Sequence, residues 1–172
     1  LTGKLSFAEL GKHLPFEPKH YFLVYDVPNK EVRGEHAHLQ CHQFLVCVKG
    51  SCAVVVDDGH RRQEIRLDRP NLGLHLPPMV WATQYKYTAD AVLMVLASEI
   101  YEAEDYIRNY DDYLEAIKTF SCPGQNFIFA SKTGDIALWQ QGKFPARWNR
   151  QGLYVMPGED SSYAWQGFIP QA

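Results

Sequence analysis

The sequence predicts an all-β domain, a sandwich or a barrel, followed by a short helix and an extension of different composition. The main observation is a succession of short β-rich segments, broken by turn signals at regular spacing, between about Phe22 and Ser98. Many short strands joined by tight turns are typical of sandwiches and barrels. Two further observations are a helical spacing of apolar residues after residue 102 and a glycine- and proline-rich texture beyond residue 120.

The predicted strands alternate with recognisable turns. The strands are Tyr21 to Val27, His36 to Lys49, Cys52 to Val56, Glu64 to Leu67, Leu72 to Leu76 and Ala91 to Ala97. Pro28 to Lys30 predicts a turn, and Asp57 to His60 predicts a tight hairpin because glycine tolerates the positive φ that such turns require. Pro77 and Pro78 end the strand that precedes them.

The segment from 102 to 117 predicts an amphipathic helix. Its residues at helical spacing are Ile107, Tyr110, Leu114 and Ile117. We expect its tyrosines to pack against the barrel. The following segment carries Trp139, Trp148 and Trp165 among glycines and prolines, so we predict a first domain at 1–118 and an extension at 119–172.

Composition narrows the class of protein. The net charge is −3 and the basic residues are scattered, which argues against a nucleic-acid-binding protein. No apolar segment approaches the roughly 18 residues that would span a bilayer, and the first residues show no signal-peptide pattern. The four cysteines have no CxxC spacing, and a reducing compartment is the default expectation. We therefore expect a cytoplasmic protein.

The segment Arg33-Gly34-Glu35-His36-Ala37-His38 carries the main chemical signal. Alternate residues of a strand point to the same face, so His36 and His38 should enter one space roughly 7 Å apart. Two imidazoles near a guanidinium suit metal ligation or proton transfer on an anionic substrate. Hydrogen-bonded structural histidines are the third possibility.

The His-x-His pattern, with Gly50 beyond it, is also that of metal-binding cupin barrels. The acidic ligand expected a few residues later falls on His42 or Gln43, and the fourth ligand would fall near Trp81 to Thr83, where there is no histidine. An amide is a poor substitute for a carboxylate on a divalent metal. His42 and His75 could complete a metal site, but the missing ligands favour an acid–base pair.

Several blocks in order resemble the WxcM-like sugar 3,4-ketoisomerases of the cupin superfamily, which act on TDP-4-keto-6-deoxyglucose. The resemblance covers Gly3 to Ile117. The residues that carry it are Arg33-Gly34-x-His36-Ala37-His38, Gln43 to Cys52, Trp81-x-x-Gln84-Tyr85, Val92 to Ser98 and Asp105-Tyr106-Ile107-Arg108-x-Tyr110-Asp111.

This resemblance implies a small cupin jelly-roll barrel, also called a double-stranded β-helix, that forms a homodimer by exchanging N-terminal strands. It implies isomerisation without metal or other cofactor, in which His36 and His38 move a proton from C3 to C4 of a TDP-linked 4-keto-6-deoxy sugar through an enediol. Arg33 would hold developing negative charge or the pyrophosphate. The other implied substrate contacts are Tyr25, Gln43, Trp81 and Gln84.

In the extension, three blocks resemble an internal stretch of penicillin-acylase-type N-terminal-nucleophile hydrolases: Gln125 to Ile136, Phe144 to Arg147 and Trp165 to Pro170. This stretch would not include the nucleophile of that family, which must stand at a chain terminus. We therefore expect a non-catalytic extension. For the first domain, the alternatives to a ketoisomerase are a metal-dependent cupin enzyme and a nucleotide-sugar-binding barrel without catalysis.

Overall fold

Two antiparallel β-sheets, packed face to face, form the body of the molecule. The computed structural model describes residues 3–10, 12–120, 128–129, 138–139 and 153–155. The main strands are β1 (His20–Tyr25), β2 (Arg33–His38), β3 (Gln43–Lys49), β4 (Cys52–Asp57), β5 (Arg62–Leu67), β6 (Leu72–Leu76), β7 (Trp81–Tyr85) and β8 (Val92–Ala97). A 3₁₀ turn (Ala103–Asp105), β9 (Tyr106–Ile107) and helix α1 (Tyr110–Phe120) follow.

The strand order places the first strand, β1, and the last strand before the helix, β9, on one side of the molecule. The first sheet runs β1-β8-β3-β6-β12, where β12 is Leu153–Val155, and the second runs β5-β4-β7-β2-β9. A separate pair joins β10 (Ile128–Phe129) to β11 (Leu138–Trp139). Because β5 also contacts β6, β1 and the β2–β9 edge lie on the same side of the double sheet, opposite the side of β5 and β6.

The main hydrophobic core lies between the sheets. Residues of both sheets contribute to one buried cluster, for example Leu45 and Leu93 from the first and Val54 and Ala82 from the second. Burial alternates along β8, as expected for a strand whose faces meet different surroundings. Burial of this apolar surface is the main favourable contribution to folding.

Two smaller clusters cover the outer faces of the sheets. On the first sheet, Leu14 packs with Phe44 and Val46, and Phe16 lies beside them. On the second, helix α1 covers Ala37 and Trp81 with Tyr113.

Helix α1 begins where a polar side chain caps it. The Oδ1 atom of Asn109 accepts hydrogen bonds from the backbone N–H groups of Asp111 and Asp112 at 2.8 and 3.1 Å. These groups have no partner within the helix, so the cap stabilises its first turn. The buried hydroxyl of Tyr113 then donates to the carbonyl oxygen of Asp57 at 2.6 Å, which fixes the helix against the hairpin of β4 and β5.

The all-β, cupin-like class predicted from the sequence is confirmed. Two predicted details are wrong, and one strand is missing from the prediction. The long strand from His36 to Lys49 is divided into β2 and β3 by a turn at 39–42, and β7 was not predicted after the two prolines. Ile107 lies in β9, paired with Ala37, so the helix begins only at Tyr110.

The division at residue 118 stays a prediction. In the extension, backbone pairing places β12 antiparallel to β6. Its other predicted features lie outside the described residues. Within the described part of the chain, no helix has the length and apolar character needed to cross a membrane.

Candidate active site

A β-bulge in β2 positions the predicted site. Arg33 lies opposite Gln84 and His36 lies opposite Ala82, so three steps along β2 match two steps along β7. Gly34 (φ +82°) and Glu35 (φ +54°) adopt left-handed conformations at this point. In a regular strand, residues three apart face opposite sides. The extra residue therefore turns Arg33 and the histidines toward the same face.

The two histidines meet inside the barrel. Ala82, the neighbour of His36 across the strands, belongs to the core between the sheets, so His36 and His38 face that interior. Their ring centroids are 4.9 Å apart with an edge-to-face arrangement. The sequence prediction that both imidazoles enter one space is thus consistent with the fold.

His38 makes two side-chain hydrogen bonds. Its Nδ1 atom lies 2.7 Å from Oδ2 of Asp105, and its Nε2 atom lies 3.0 Å from Nε2 of Gln43. A carboxylate only accepts hydrogen bonds, so Nδ1 carries the proton and the Gln43 amide donates to the Nε2 lone pair. Gln43 therefore contacts the catalytic candidate itself.

His36 has a different environment. Its Nδ1–H donates to the carbonyl oxygen of Gly34 at 3.0 Å, which leaves the lone pair on Nε2. Burial lowers the pKa of His36, and the charges of His38 and Arg108 lower it further, against the hydrogen bond to Gly34. Burial is also the largest effect on His38 and lowers its pKa, although Asp105 acts in the opposite direction. Both rings are therefore kept neutral near pH 7 and can accept a proton.

Residues from β9 and β1 complete the walls around the pair. The ring centroid of Tyr106 lies 4.9 Å from that of His36 and 4.3 Å from that of His38. The guanidinium carbon of Arg108 lies 4.3 Å from the centroid of the Tyr106 ring. On β1, His20 shares its face with Ala97 and Gln43 through cross-strand pairing, which turns it toward the interior. Its Nδ1–H donates to the carbonyl oxygen of Glu99 at 2.5 Å.

Sequence reasoning did not assign roles to Asp105, Tyr106 and His20. Asp105 and Tyr106 occur in a block that carries the family resemblance, but their segment was predicted as helix, which concealed their position beside β2. His20 precedes the predicted strand at Tyr21 by one residue. Its spacing of two from Phe22 and of four from Val24 could have indicated a shared inward face.

Two other predicted substrate contacts lie near the bulge. Arg33 is exposed at the start of β2, and Gln84 opposite it is buried. The Gln84 side chain lies close to Gly34, where an added Cβ would be 3.1 Å from Nε2 of Gln84. The pair thus lines the same face as the histidines.

Tyr25 and Trp81 lie elsewhere. Tyr25 is 60% exposed on the face of β1 opposite to Val24, which packs against the core. Trp81 faces away from the barrel interior and packs against Tyr110 and Tyr113 of α1. The structure does not bring either side chain to the histidine pair within this chain.

His42 and His75 form a second histidine pair on the outer face of the first sheet. The rings are nearly parallel with centroids 5.2 Å apart, and Nδ1 of His42 lies 3.0 Å from Nε2 of His75. His75 lies opposite Phe44, whose ring packs with the outer cluster. The sheet separates this pair from His36 and His38, so it cannot complete a metal site with them.

Among the described residues, one group could hold a metal ion beside the site. His38, Cys41 and Asp105 each offer a ligand atom, and these atoms lie within 4.8 Å of one another. In the structure, Asp105 also accepts hydrogen bonds from the backbone N–H groups of Gln40 and Cys41 at 2.7 and 3.3 Å. Its carboxylate is therefore held in place by protein donors.

A two-sheet barrel with adjacent imidazoles in its interior, one of them paired with a carboxylate, is the architecture of a cupin-type protein. The sequence profile of the WxcM-like, C-terminal family (FdtA) matches residues 1–118. The TDP-4-oxo-6-deoxy-alpha-D-glucose-3,4-oxoisomerase of Aneurinibacillus thermoaerophilus is 44% identical over 115 residues, which cover 67% of this chain and 83% of the relative.

Solved structures agree. A 3,4-ketoisomerase from Helicobacter canadensis is similar with a TM-score of 0.65 at 38% identity, over 66% of this chain and 86% of that one. The 3,4-ketoisomerase QdtA from Thermoanaerobacterium thermosaccharolyticum, in complex with TDP, gives a TM-score of 0.66 at 36% identity, over 69% and 86%. The chain belongs to the WxcM-like family, and it is an isomerase.

Proposed function

We propose that this protein converts TDP-4-keto-6-deoxyglucose to the 3-keto isomer in deoxysugar biosynthesis. The observation that carries the proposal is the pair of adjacent imidazoles, 4.9 Å apart, inside a ketoisomerase fold. A mutant of QdtA was crystallised with TDP-4-keto-6-deoxyglucose, and that chain matches this one at 35% identity and a TM-score of 0.66. The named substrate of these relatives supports the same substrate class here.

The reaction is a proton transfer between neighbouring carbons. The 4-keto group acidifies the C3 proton, so a neutral imidazole can remove it while the C–H electrons form an enediolate. Return of a proton to C4, together with transfer of the hydroxyl proton from O3 to O4, then leaves the carbonyl at C3 and a hydroxyl at C4. Atoms and electrons balance without a redox cofactor, and His36 and His38 supply the two adjacent bases.

Cations near the site suit the charge of the substrate. Arg33 at the bulge and Arg108 beside Tyr106 both lie near the histidine-bearing face. A guanidinium can pair with a diphosphate or stabilise an enediolate. We assign substrate contacts to Arg33, Gln84 and Tyr106, with Gln43 acting on His38.

Incubation with TDP-4-keto-6-deoxyglucose in D₂O tests the function. We expect a 3-keto product, detected by NMR, that carries deuterium at C4. His36→Asn and His38→Asn should each lower kcat on the order of 10²-fold or more, because each removes a general acid–base group. His60→Asn is the matched control, since His60 is exposed in the β4–β5 hairpin. Full activity in both site variants would refute the mechanism.

The group of His38, Cys41 and Asp105 favours one second candidate, a metal-dependent cupin enzyme. Imidazole, thiolate and carboxylate together suit zinc or iron. Elemental analysis of the purified protein and assay with a chelator separate the two candidates. Stoichiometric metal together with activity that the chelator abolishes would favour the metal enzyme.

We further propose that two copies of the chain associate through the outward face of β1. The outward residues Tyr21, Leu23 and Tyr25 are 66%, 45% and 60% exposed, and they form an apolar row on an edge strand. Such a row marks an interaction surface. Light scattering after gel filtration should give the mass of a dimer, and Leu23→Lys should give a monomer. A monomeric unaltered protein would contradict this assembly.

Burial of the unpaired thiols Cys41, Cys47 and Cys52 supports a reducing compartment, and we propose a cytoplasmic location.

A further inference from the structure

Several hydrogen bonds fix the Asp105 carboxylate beside His38. Asp105 closes a 3₁₀ turn, and the backbone N–H of Leu39 donates to its carbonyl oxygen at 2.9 Å. Its Oδ1 accepts from the N–H of Gln40 at 2.7 Å, and its Oδ2 accepts from Nδ1 of His38 at 2.7 Å. The loop that follows β2 therefore holds the Asp105 carboxylate against the imidazole of His38, the last residue of β2.

This arrangement determines which nitrogen of His38 carries the proton. An ionised carboxylate cannot donate, so the hydrogen bond requires Nδ1–H and leaves a lone pair on Nε2 in the neutral ring. The same carboxylate stabilises the imidazolium that forms when Nε2 accepts a proton. His36 has only a neutral carbonyl oxygen, that of Gly34, at the corresponding nitrogen.

We propose that Asp105 is a positioning residue for the isomerisation, which fixes His38 as the Nδ1–H tautomer and stabilises its charged form during proton transfer. This inference rests on the proposed function for its kinetic part only. Asp105 acts through His38, and nothing in the arrangement requires it to touch the substrate. The two histidines are consequently unequal, because only His38 has a carboxylate partner.

Asp105→Asn is the informative variant. The strong hydrogen bond from the N–H of Gln40 needs an oxygen acceptor, so the Asn amide oxygen should occupy the Oδ1 position and the NH₂ group should face His38. An NH₂ donor at Nδ1 requires the opposite tautomer, with the proton on Nε2. The substitution thus keeps the shape of the side chain and the hydrogen bond from Gln40, loses only the longer hydrogen bond from the N–H of Cys41, and reverses the proton position.

The first measurement needs no substrate. Long-range ¹H–¹⁵N NMR of histidine-labelled protein, with His38 assigned from the spectrum of His38→Asn, should show Nδ1–H in the unaltered protein. It should show Nε2–H in Asp105→Asn. An Nε2–H tautomer of His38 in the unaltered protein would overturn the proposal, whether or not the protein isomerises the sugar and whether or not the variant folds.

The second measurement is kinetic. Asp105→Asn should lower kcat on the order of 10²- to 10⁴-fold, the range that a general acid–base group contributes, with a small change in KM. The acid limb of kcat/KM should also move to lower pH, because the carboxylate no longer raises the pKa of His38. Glu104→Gln, which neutralises the exposed carboxylate next to it, is the control and should leave both unchanged. Unaltered kcat in a folded Asp105→Asn protein would contradict the proposal.

Discussion

Burial of the two site histidines determines the pH range in which they can act as bases. The pKa values of His36 and His38 lie below the ordinary value near 6.5, with burial as the largest cause for each. A general base must be neutral, so a lowered pKa extends its activity toward acid. The fold thus provides proton acceptors that remain ready throughout the neutral range.

We therefore expect kcat/KM for TDP-4-keto-6-deoxyglucose to stay constant as the pH falls from 8 to the ordinary histidine pKa near 6.5, and to decline only below it. Initial rates across this range, with circular dichroism at each pH to confirm folding, provide the measurement. A decline that is centred above pH 7 would show that the rings are not buried in the working enzyme.

The sequence predicted the two site histidines but not the residues that contact them. His36 and His38 are two positions apart in sequence, so strand alternation alone places them on the same face. Asp105 is 67 positions from His38, and no local pattern reports a contact over that separation. For Trp81 the sequence predicted a substrate contact that the structure does not bring to the histidines. A tryptophan in a strand can face either side, and here it packs against α1.

The bulge in β2 is the element that determines the geometry of the site. Gly34 has a φ of +82°, and a Cβ added there would lie 2.8 Å from the carbonyl oxygen of Ala82 on β7. Side chains adopt such conformations rarely, and backbone cannot easily move away. Any residue with a Cβ should therefore alter the pairing that directs Arg33 and His36 inward.

Gly34→Ala should destabilise the protein by about 1–3 kcal/mol and should also lower kcat, because the strained backbone displaces His36. Urea unfolding and the isomerase assay measure the two effects. Gly59→Ala is the matched control. Gly59 has a φ of +85° and meets the Ile117 side chain at 2.8 Å, in the β4–β5 hairpin. The Gly59→Ala protein should be less stable but should keep its kcat. Equal losses of kcat in the two variants would contradict the role of the bulge.

The sequence predicted most strands but not the bulge or β7. Leu72 to Leu76 was predicted with the observed bounds, because its apolar residues alternate and prolines follow. Trp81 to Tyr85 lacks a clear alternation, since buried Gln84 reads as a polar residue in the pattern. The bulge depends on the partner strand, so only the pairing with β7 reveals it.

For the whole molecule, buried neutral histidines connect stability to pH. Burial lowers the pKa of His75 to about 3, with a smaller contribution from the charge of His42. The unfolded chain binds a proton at this residue below about pH 6.5, whereas the folded chain does not. This contribution to stability is fully present above pH 6.5 and is lost progressively toward pH 3.

We expect the free energy of unfolding to fall with decreasing pH between 6.5 and 4, by up to about 1.4 kcal/mol per pH unit for each excluded proton. His75→Asn should reduce this slope by close to one proton, and His60→Asn, at an exposed position, should leave it unchanged. Urea unfolding at several pH values measures the slope. An unchanged slope in His75→Asn would show that His75 titrates alike in both states.

The hydrogen bond between His38 and Asp105 also has a consequence for how the protein acquires activity. The two residues are 67 positions apart, and the strands from β3 to β8 lie between them in the chain. Closing so long a segment carries a large loss of chain entropy and is slow compared with the formation of local turns. During refolding, catalysis should therefore return only with the final cooperative step, after the early hairpins have formed.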